Sequence, residues 1–307
     1  MLGIGDDAAL LRTDGSSVVA FSSDLLVEGV HFRLDWTTPE LLGHKALAVS
    51  LSDMAAMGAD PRACLLSLAL PERFGGEFLD RFYTGALAVA DKYGVVIAGG
   101  DLSSSYGPLV VDATLAGEVE ESRALRRSGA RPGDDLWVSG RLGSSAVGLD
   151  LLARGTRLHT AVAFDHEAIL AHLAPEPRVA LGVALARRSL ATAAIDLSDG
   201  LSSDVRHLCD ESGVGVSIES GALPCVGTTE EALHGGEQYE LLFAARAADR
   251  ERILALGEEL GLQLTRVGLF GGDGVRLTSG GRTAPLPARG WDHFAGAGPA
   301  GGPRRPD

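Results

Sequence analysis

Lysine is nearly missing from this 307-residue chain: of its 27 basic residues only Lys45 and Lys92 are lysines, which leaves 25 arginines. Neither lysine lies in a G-x-x-x-x-G-K-[ST] loop, so a P-loop enzyme is excluded. Cysteine is scarce as well. Cys64, Cys209 and Cys225 are odd in number and lack CxxC spacing, which argues against both a disulfide framework and a zinc site. Positive charge is in deficit, 27 basic against 41 acidic residues for a net charge of −14, so no basic stripe is available for nucleic acid. No apolar run approaches the ~18 residues of a membrane span, and Met1-Leu2-Gly3-Ile4-Gly5-Asp6 has neither the basic nor the apolar region of a secretory signal. A cytoplasmic protein is the expectation. With 45% hydrophobic residues, global disorder is excluded as well.

What the chain does have is seven aspartates in five short segments flanked by glycine and serine. They are Gly3-Ile4-Gly5-Asp6-Asp7, Ser22-Ser23-Asp24, Ser52-Asp53-Met54, Gly99-Gly100-Asp101 and Asp196-Leu197-Ser198-Asp199-Gly200. Solvated acidic runs cluster with other charges, whereas here Asp24, Asp101 and Asp196 each follow an apolar stretch. Strand ends converging on one place would gather carboxylates that cannot all stay ionised without a cation. Hard oxygen donors beside small residues suit Mg²⁺, which shares its shell with substrate phosphates. Metal-assisted phosphate chemistry is the class this predicts.

Two α/β units fit the length. Residues 16–34 read as a strand, a turn at Ser22-Ser23-Asp24 and an extended piece ending at Val30-His31-Phe32. Thr38-Pro39-Glu40 starts a helix that Gly58 stops. Its apolar stripe of Leu42, Ala46, Val49 and Ala56 also contains Asp53. A second helix over 76–93 leads to a strand at 95–98 and a turn at Gly99-Gly100-Asp101, and another strand spans 109–118. Residues 120–133 connect the halves. Beyond them come a strand at 135–139, a Gly-rich turn at 140–145, helices at 177–189, 202–212 and 248–260, and strands at 193–195 and 238–244. Domains are expected at 1–130 and 131–294, with a flexible Gly/Pro tail at 295–307.

Each candidate has a plain alternative. A carboxylate on a helix's apolar stripe costs several kcal/mol unless paired, so Asp53 is either a metal ligand or half of a buried salt bridge. Asp7, Asp24 and Asp101 are also residues that favour turns. Neighbours on an extended chain point opposite ways, so only one of Asp6 and Asp7 faces a metal. At 196–200 a helix start offers N–H groups to phosphate, with Ser198 adding a hydroxyl, or Ser198 or Ser202 simply caps the helix. The turn at 140–145 is a weaker phosphate site because it lacks a lysine. Arg127 is either a polyphosphate grip or a solvated linker residue. His31 and Trp291 have structural readings too.

Taken in order, GIGDDAAL, SSDLLVEGVHF, KALAVSLSDMAAMGADPR, AGGDLSSS, RSGARPGD, AIDLSDGLSSD, GGEQYELLF and GWDHF, over residues 3–294, resemble the thiamine-monophosphate kinase family of the aminoimidazole ribonucleotide synthetase and selenophosphate synthetase superfamily. The resemblance implies a two-domain α/β (α+β) fold of the aminoimidazole ribonucleotide synthetase type. It also implies a homodimer whose amino-terminal strands pair across the interface, and a carboxy-terminal α/β half closing over nucleotide. The implied activity is ATP-dependent phosphorylation of thiamine monophosphate, with several Mg²⁺ ions and no membrane or nucleic-acid partner. An aminoimidazole ribonucleotide synthetase-like activity and a non-catalytic cation-binding dimer are the alternatives. By resemblance the metal residues are Asp7, Ser22, Ser23, Asp24, Asp53, Asp101, Asp196 and Asp199. ATP falls to Gly100, Asp101, Arg127 and Ser198, and the acceptor to His31, Glu237 and Trp291. Gln238 stands where the family usually has Asp. An acceptor phosphate, with a second pKa near ~6, needs no general base, so no base or covalent nucleophile is expected.

Overall fold

The computed structural model describes residues 3–13 and 15–293; the tail expected at 295–307 lies outside them. The amino-terminal half runs β1 (Ala9–Arg12), β2 (Ser17–Val27), α1 (Pro39–Ala56), β3 (Asp60–Pro71), α2 (Gly76–Tyr93), β4 (Val96–Ser105) and β5 (Val110–Glu120). Its five strands form one sheet in the order β1-β2-β5-β3-β4. The other half holds β6 (Asp135–Ser139), α3 (Ser144–Ala153), α4 (Ala163–Leu173), α5 (Val179–Arg187), β7 (Ala193–Asp196), α6 (Leu201–Ser212), β8 (Val216–Glu219), α7 (Thr229–His234), β9 (Leu241–Ala245), α8 (Arg250–Leu260), β10 (Leu264–Phe270), β11 (Val275–Ser279) and β12 (Arg282–Pro285). Those seven strands form a second sheet, β12-β11-β8-β10-β6-β9-β7. No helix among the described residues is long and apolar enough to cross a membrane.

The helix α1 starts as its residues dictate: Thr38 Oγ1 accepts the Leu41 N–H at 3.3 Å, and Pro39 needs no partner in the first turn. Gly58, at φ 65°, follows its end. Yet it is no amphipathic helix, because 13 of its 18 residues are buried. It packs against the first sheet, α2, α5 and β7 at once. Small residues permit this: a Cβ on Gly43 or Gly182 would run into the Phe82 or Ala55 carbonyl. Its mid-helix hydroxyls are satisfied across the seam, Ser50 Oγ donating to Ala113 O at 2.9 Å and Ser52 Oγ to Asp196 Oδ2 at 2.6 Å.

Two expected turns are strand. Ser22, Ser23 and Asp24 lie inside β2, which pairs with β5 without a break from Ser17↔Glu120 to Val27↔Val110. Gly99, Gly100 and Asp101 lie inside β4, paired with β3. Serine, glycine and aspartate favour turns only where no neighbouring strand offers a ladder. At Gly100 the reason for glycine is close approach, since a Cβ would strike the Leu66 carbonyl. The strand expected at 238–244 starts later, at Leu241, because Glu237 and Tyr239 adopt left-handed backbone with φ 57° and 52°.

Candidate active site

At the seam between the two sheets the side chains of Asp7, Asp53 and Asp196 converge, one oxygen of each lying within 4.8 Å of the others. Three elements position them: the segment before β1, the buried α1, and the end of β7 where it abuts α1. Asp24 approaches Asp53 from β2, and withdrawal from water raises its carboxyl above the usual range. Ser22 points to the same side, its Oγ donating to Ser50 O at 3.3 Å. The alternation expected of Asp6 and Asp7 holds. Asp6 Oδ1 instead accepts the Arg127 N–H at 2.6 Å, while Asp7 Oδ1 meets Arg127 Nη2 at 2.8 Å.

The electrostatics of this group are unbalanced. Withdrawal from water, then the charges of Asp24, Asp196 and Asp7, push the Asp53 carboxyl well above the usual range. Withdrawal from water and then Asp7 push Asp196 up to about 8, against the opposing hydrogen bond from Ser52. Asp7 is pushed up to about 6, chiefly by the same withdrawal, despite Arg127. Four carboxylates thus face one guanidinium, and Asp7 Oδ2 and Asp24 Oδ2 are buried without a hydrogen-bond partner. Unpartnered hard oxygens in an over-negative cluster are the donor set of a hard divalent cation.

A second group lies beside it. Gly235 to Tyr239 wraps over the loop after β7, with Glu237 N–H donating to Ser198 O at 2.6 Å and Tyr239 N–H to Leu197 O at 2.9 Å. Left-handed backbone at two non-glycine residues costs about 1–3 kcal/mol each and persists only where surroundings over-determine it, a pattern typical of functional sites. Glu237 Oε1 is 2.9 Å from Lys45 Nζ, and Oε2 is 3.3 Å from His172 Nδ1. Burial alone would raise the Glu237 carboxyl, but Lys45 and His172 hold it below its ordinary value. His31 Nδ1 accepts the Val27 N–H at 3.0 Å, which fixes the tautomer protonated on Nε2. Its ring lies 5.1 Å from that of His293, which meets Trp291 edge-on at 5.7 Å. Trp291 is exposed, as expected, and its backbone N–H donates to Asp199 O at 3.0 Å. His31, Glu237 and Trp291 are therefore drawn into one neighbourhood from three distant segments.

Other candidates are placed differently. Ser198 is exposed at the tip of the loop before α6, and Asp199 is half-buried near His293 and His207. Neither Ser198 nor Ser202 caps α6; Asp204 accepts the Asp199 and Gly200 N–H groups at 3.2 and 2.9 Å. In the turn at 140–145 the N–H groups of Gly140, Leu142 and Gly143 are all engaged, the last by Gln238 Oε1 at 3.2 Å. Gln238 also donates from Nε2 to Gly235 O at 3.3 Å, a bond an ionised Asp could not make. Ser23 and Asp101 face away from the carboxylate group. Asp24, Ala113, Leu66 and Gly100 form one row across the sheet, whereas Leu25, Asp112, Ser67 and Asp101 form the next, on the opposite face. On that face Ser23 Oγ donates to Asp112 Oδ2 at 2.9 Å. Sequence reading missed Lys45, His172, Tyr239 and His293; the rarity of lysine was the one available signal for Lys45.

Residues 5–119 match the amino-terminal domain and residues 131–278 the carboxy-terminal domain of AIR synthase related proteins. The thiamine-monophosphate kinase of Salmonella typhimurium is 41% identical over 95% of this chain and 92% of its own length. The crystal structure of thiamine-monophosphate kinase from Stenotrophomonas maltophilia K279a superposes with a TM-score of 0.81 at 41% identity, covering 90% of each chain. AaThiL complexed with AMPPCP and TMP superposes with a TM-score of 0.83 at 34% identity, over 95% of this chain and 92% of that one.

Proposed function

This chain belongs to the thiamine-monophosphate kinase family, and from that premise we propose that it transfers the γ-phosphoryl group of ATP to the phosphate of thiamine monophosphate, giving thiamine diphosphate. The observation that carries the proposal is the group of four carboxylates facing a single guanidinium, with two buried oxygens unpartnered, beside the neighbourhood of His31, Glu237 and Trp291. Asp7, Asp24, Asp53 and Asp196 hold Mg²⁺, with Ser22 and Asp199 at the margins of the set. When bound, Mg²⁺ supplies the positive charge that lets two phosphates approach; at an effective dielectric of 20, like unit charges about 4 Å apart repel by about 4 kcal/mol.

The remaining roles belong to protein groups. Arg127, held by Asp7, directs its guanidinium toward the polyphosphate, and Ser198 offers a hydroxyl at a helix start. The Nε2–H of His31 donates to the acceptor phosphate. Trp291 presents a ring face to the cationic thiazolium, and Glu237 supplies a nearby negative charge. No group is asked to remove a proton, because the acceptor phosphate is largely ionised at neutral pH. A cytoplasmic setting accompanies this use of ATP.

The homodimer is part of the same proposal. Beyond the row of Asp101, the outer face of the first sheet exposes Leu11, Phe21, Leu25 and Leu65, between 40 and 55% accessible, and such a patch calls for a covering surface. Roles for Ser23 and Asp101 at metal or ATP then require the partner's site to abut this face.

The test is direct. Purified protein with ATP, Mg²⁺ and thiamine monophosphate should yield thiamine diphosphate by chromatography, and thiamine itself should not be phosphorylated. ATP turnover with a different acceptor would move the chain to another reaction of the superfamily, and cation binding without any turnover would make it a scaffold.

A further inference from the structure

His31 and Glu237 come from opposite halves of the chain, yet one buried cation touches both. Lys45, in the second turn of α1, has a side chain only 2% exposed. Its Nζ lies 2.9 Å from Glu237 Oε1 and donates to the His31 carbonyl at 3.1 Å. The other Glu237 oxygen is 3.3 Å from His172 Nδ1, which in turn lies 3.1 Å from the buried Ser145 Oγ. Burying a lysine is costly unless its charge is met, and both of its partners here are acceptor-side residues, not members of the carboxylate group. Glu237 itself sits on left-handed backbone, so its carboxylate has one direction to point and depends on what receives it there.

We infer that Lys45 is a positioning residue for acceptor recognition: it ties the Glu237 carboxylate to the backbone of His31, so that the ring charge and the phosphate of one molecule are read at a fixed separation. The inference rests on the thiamine monophosphate reading of this site. Lys45 acts through its two partners, the Glu237 carboxylate and the turn that carries His31. An acceptor lacking either the cation or the phosphate at that separation loses half of the grip. His172, itself bonded to Ser145, braces Glu237 from the other side, so Lys45 is the contact that joins Glu237 to the His31 turn.

The experiment combines Lys45→Met, similar in length and uncharged, with Glu237→Gln, singly and together. Steady-state KM for each substrate and calorimetric binding of thiamine monophosphate are the readouts. Lys45→Met should raise both the acceptor KM and its Kd ten- to fiftyfold and leave the KM for ATP within about twofold. The double variant should lose far less than the product of the two single losses, because the residues act as a unit. Multiplying losses, equal damage to ATP and acceptor, or an unchanged acceptor KM would each overturn the positioning role. If Lys45→Met alone does not fold, with Glu237 left as an unpaired buried charge, the double variant decides, since it removes both charges. There, an acceptor Kd within about twofold of that for Glu237→Gln alone supports the role, and a further loss of about tenfold or more, or wild-type affinity, overturns it. Should the wild type neither bind nor phosphorylate thiamine monophosphate, it is the functional reading that fails, before any variant is compared.

Discussion

Asp196 and Glu237 are carboxylates withdrawn from water in adjoining parts of one site, and the protein treats them in opposite ways. Asp196 faces Asp7 and Asp24, and burial together with those charges lifts it to about 8. Glu237 is lowered although burial opposes this, because Lys45 and His172 stand against it. The carboxylate group with Asp53 at its centre is electrostatically incomplete, with raised carboxyls and two buried oxygens unpartnered. The Glu237 group is closed and preorganised, with its cation built into α1. On the proposed function, the first group is the cation-gathering end of the site and the second presents a fixed anion to a positively charged ring.

The largest test of this contrast is Asp53→Asn. It should lower phosphoryl transfer at saturating Mg²⁺ by about a thousandfold or more, while melting of the metal-free protein moves up, because a repelled carboxylate has been removed. Activity near wild type would end the claim that this group serves cations. On the closed side, Trp291→Ala should weaken acceptor binding about five- to thirtyfold, corresponding to about 1–2 kcal/mol of cation–π contact, and leave the KM for ATP in place. A drop in melting temperature with equal loss of both substrates would reduce Trp291 to packing.

The two groups also predict a direction with pH. Asp7 and Asp196 have raised values, about 6 and about 8, so the folded state holds more protons than the unfolded one between roughly pH 4 and 8. Their contribution to stability is full below the ordinary aspartate value and is lost as pH rises through the folded values. Melting in EDTA should therefore fall by a few degrees between pH 5 and 8, and Mg²⁺ should erase most of that slope. A flat EDTA profile would mean that the carboxylates are already neutralised within the chain. The smallest effect is expected at Ser198, where Ala should raise the KM for ATP about threefold with less change in kcat. A purely acceptor-side effect would remove Ser198 from nucleotide binding.

Much of this was legible before any coordinates. The motifs from residue 3 to 294 named the fold and the activity, Thr38-Pro39 and Gly58 marked α1, and the resemblance chose Asp7, which stands in the carboxylate group. The errors share one cause. Ser22-Ser23-Asp24 and Gly99-Gly100-Asp101 look like turns because local composition is blind to the long ladders that β5 and β3 offer them. The same blindness hid which face each residue takes: Ser23, next to Asp24 on β2, and Asp101, on β4, lie on the other side of the sheet from Asp24.

Residue types and short-range order were enough to single out the aspartates and to place Asp53 on an apolar stripe, where a carboxylate must be met by a cation or an ion-pair partner. Only tertiary structure decided who stands opposite whom. A lysine two turns before Asp53 looks like a solvated helix residue until α1 is enclosed on every side, and Glu237 is one acid among many until left-handed backbone turns it toward Lys45 and His172. Charges far apart in sequence acquire meaning from the distance between them in space, and that distance is set by how the two sheets close on α1.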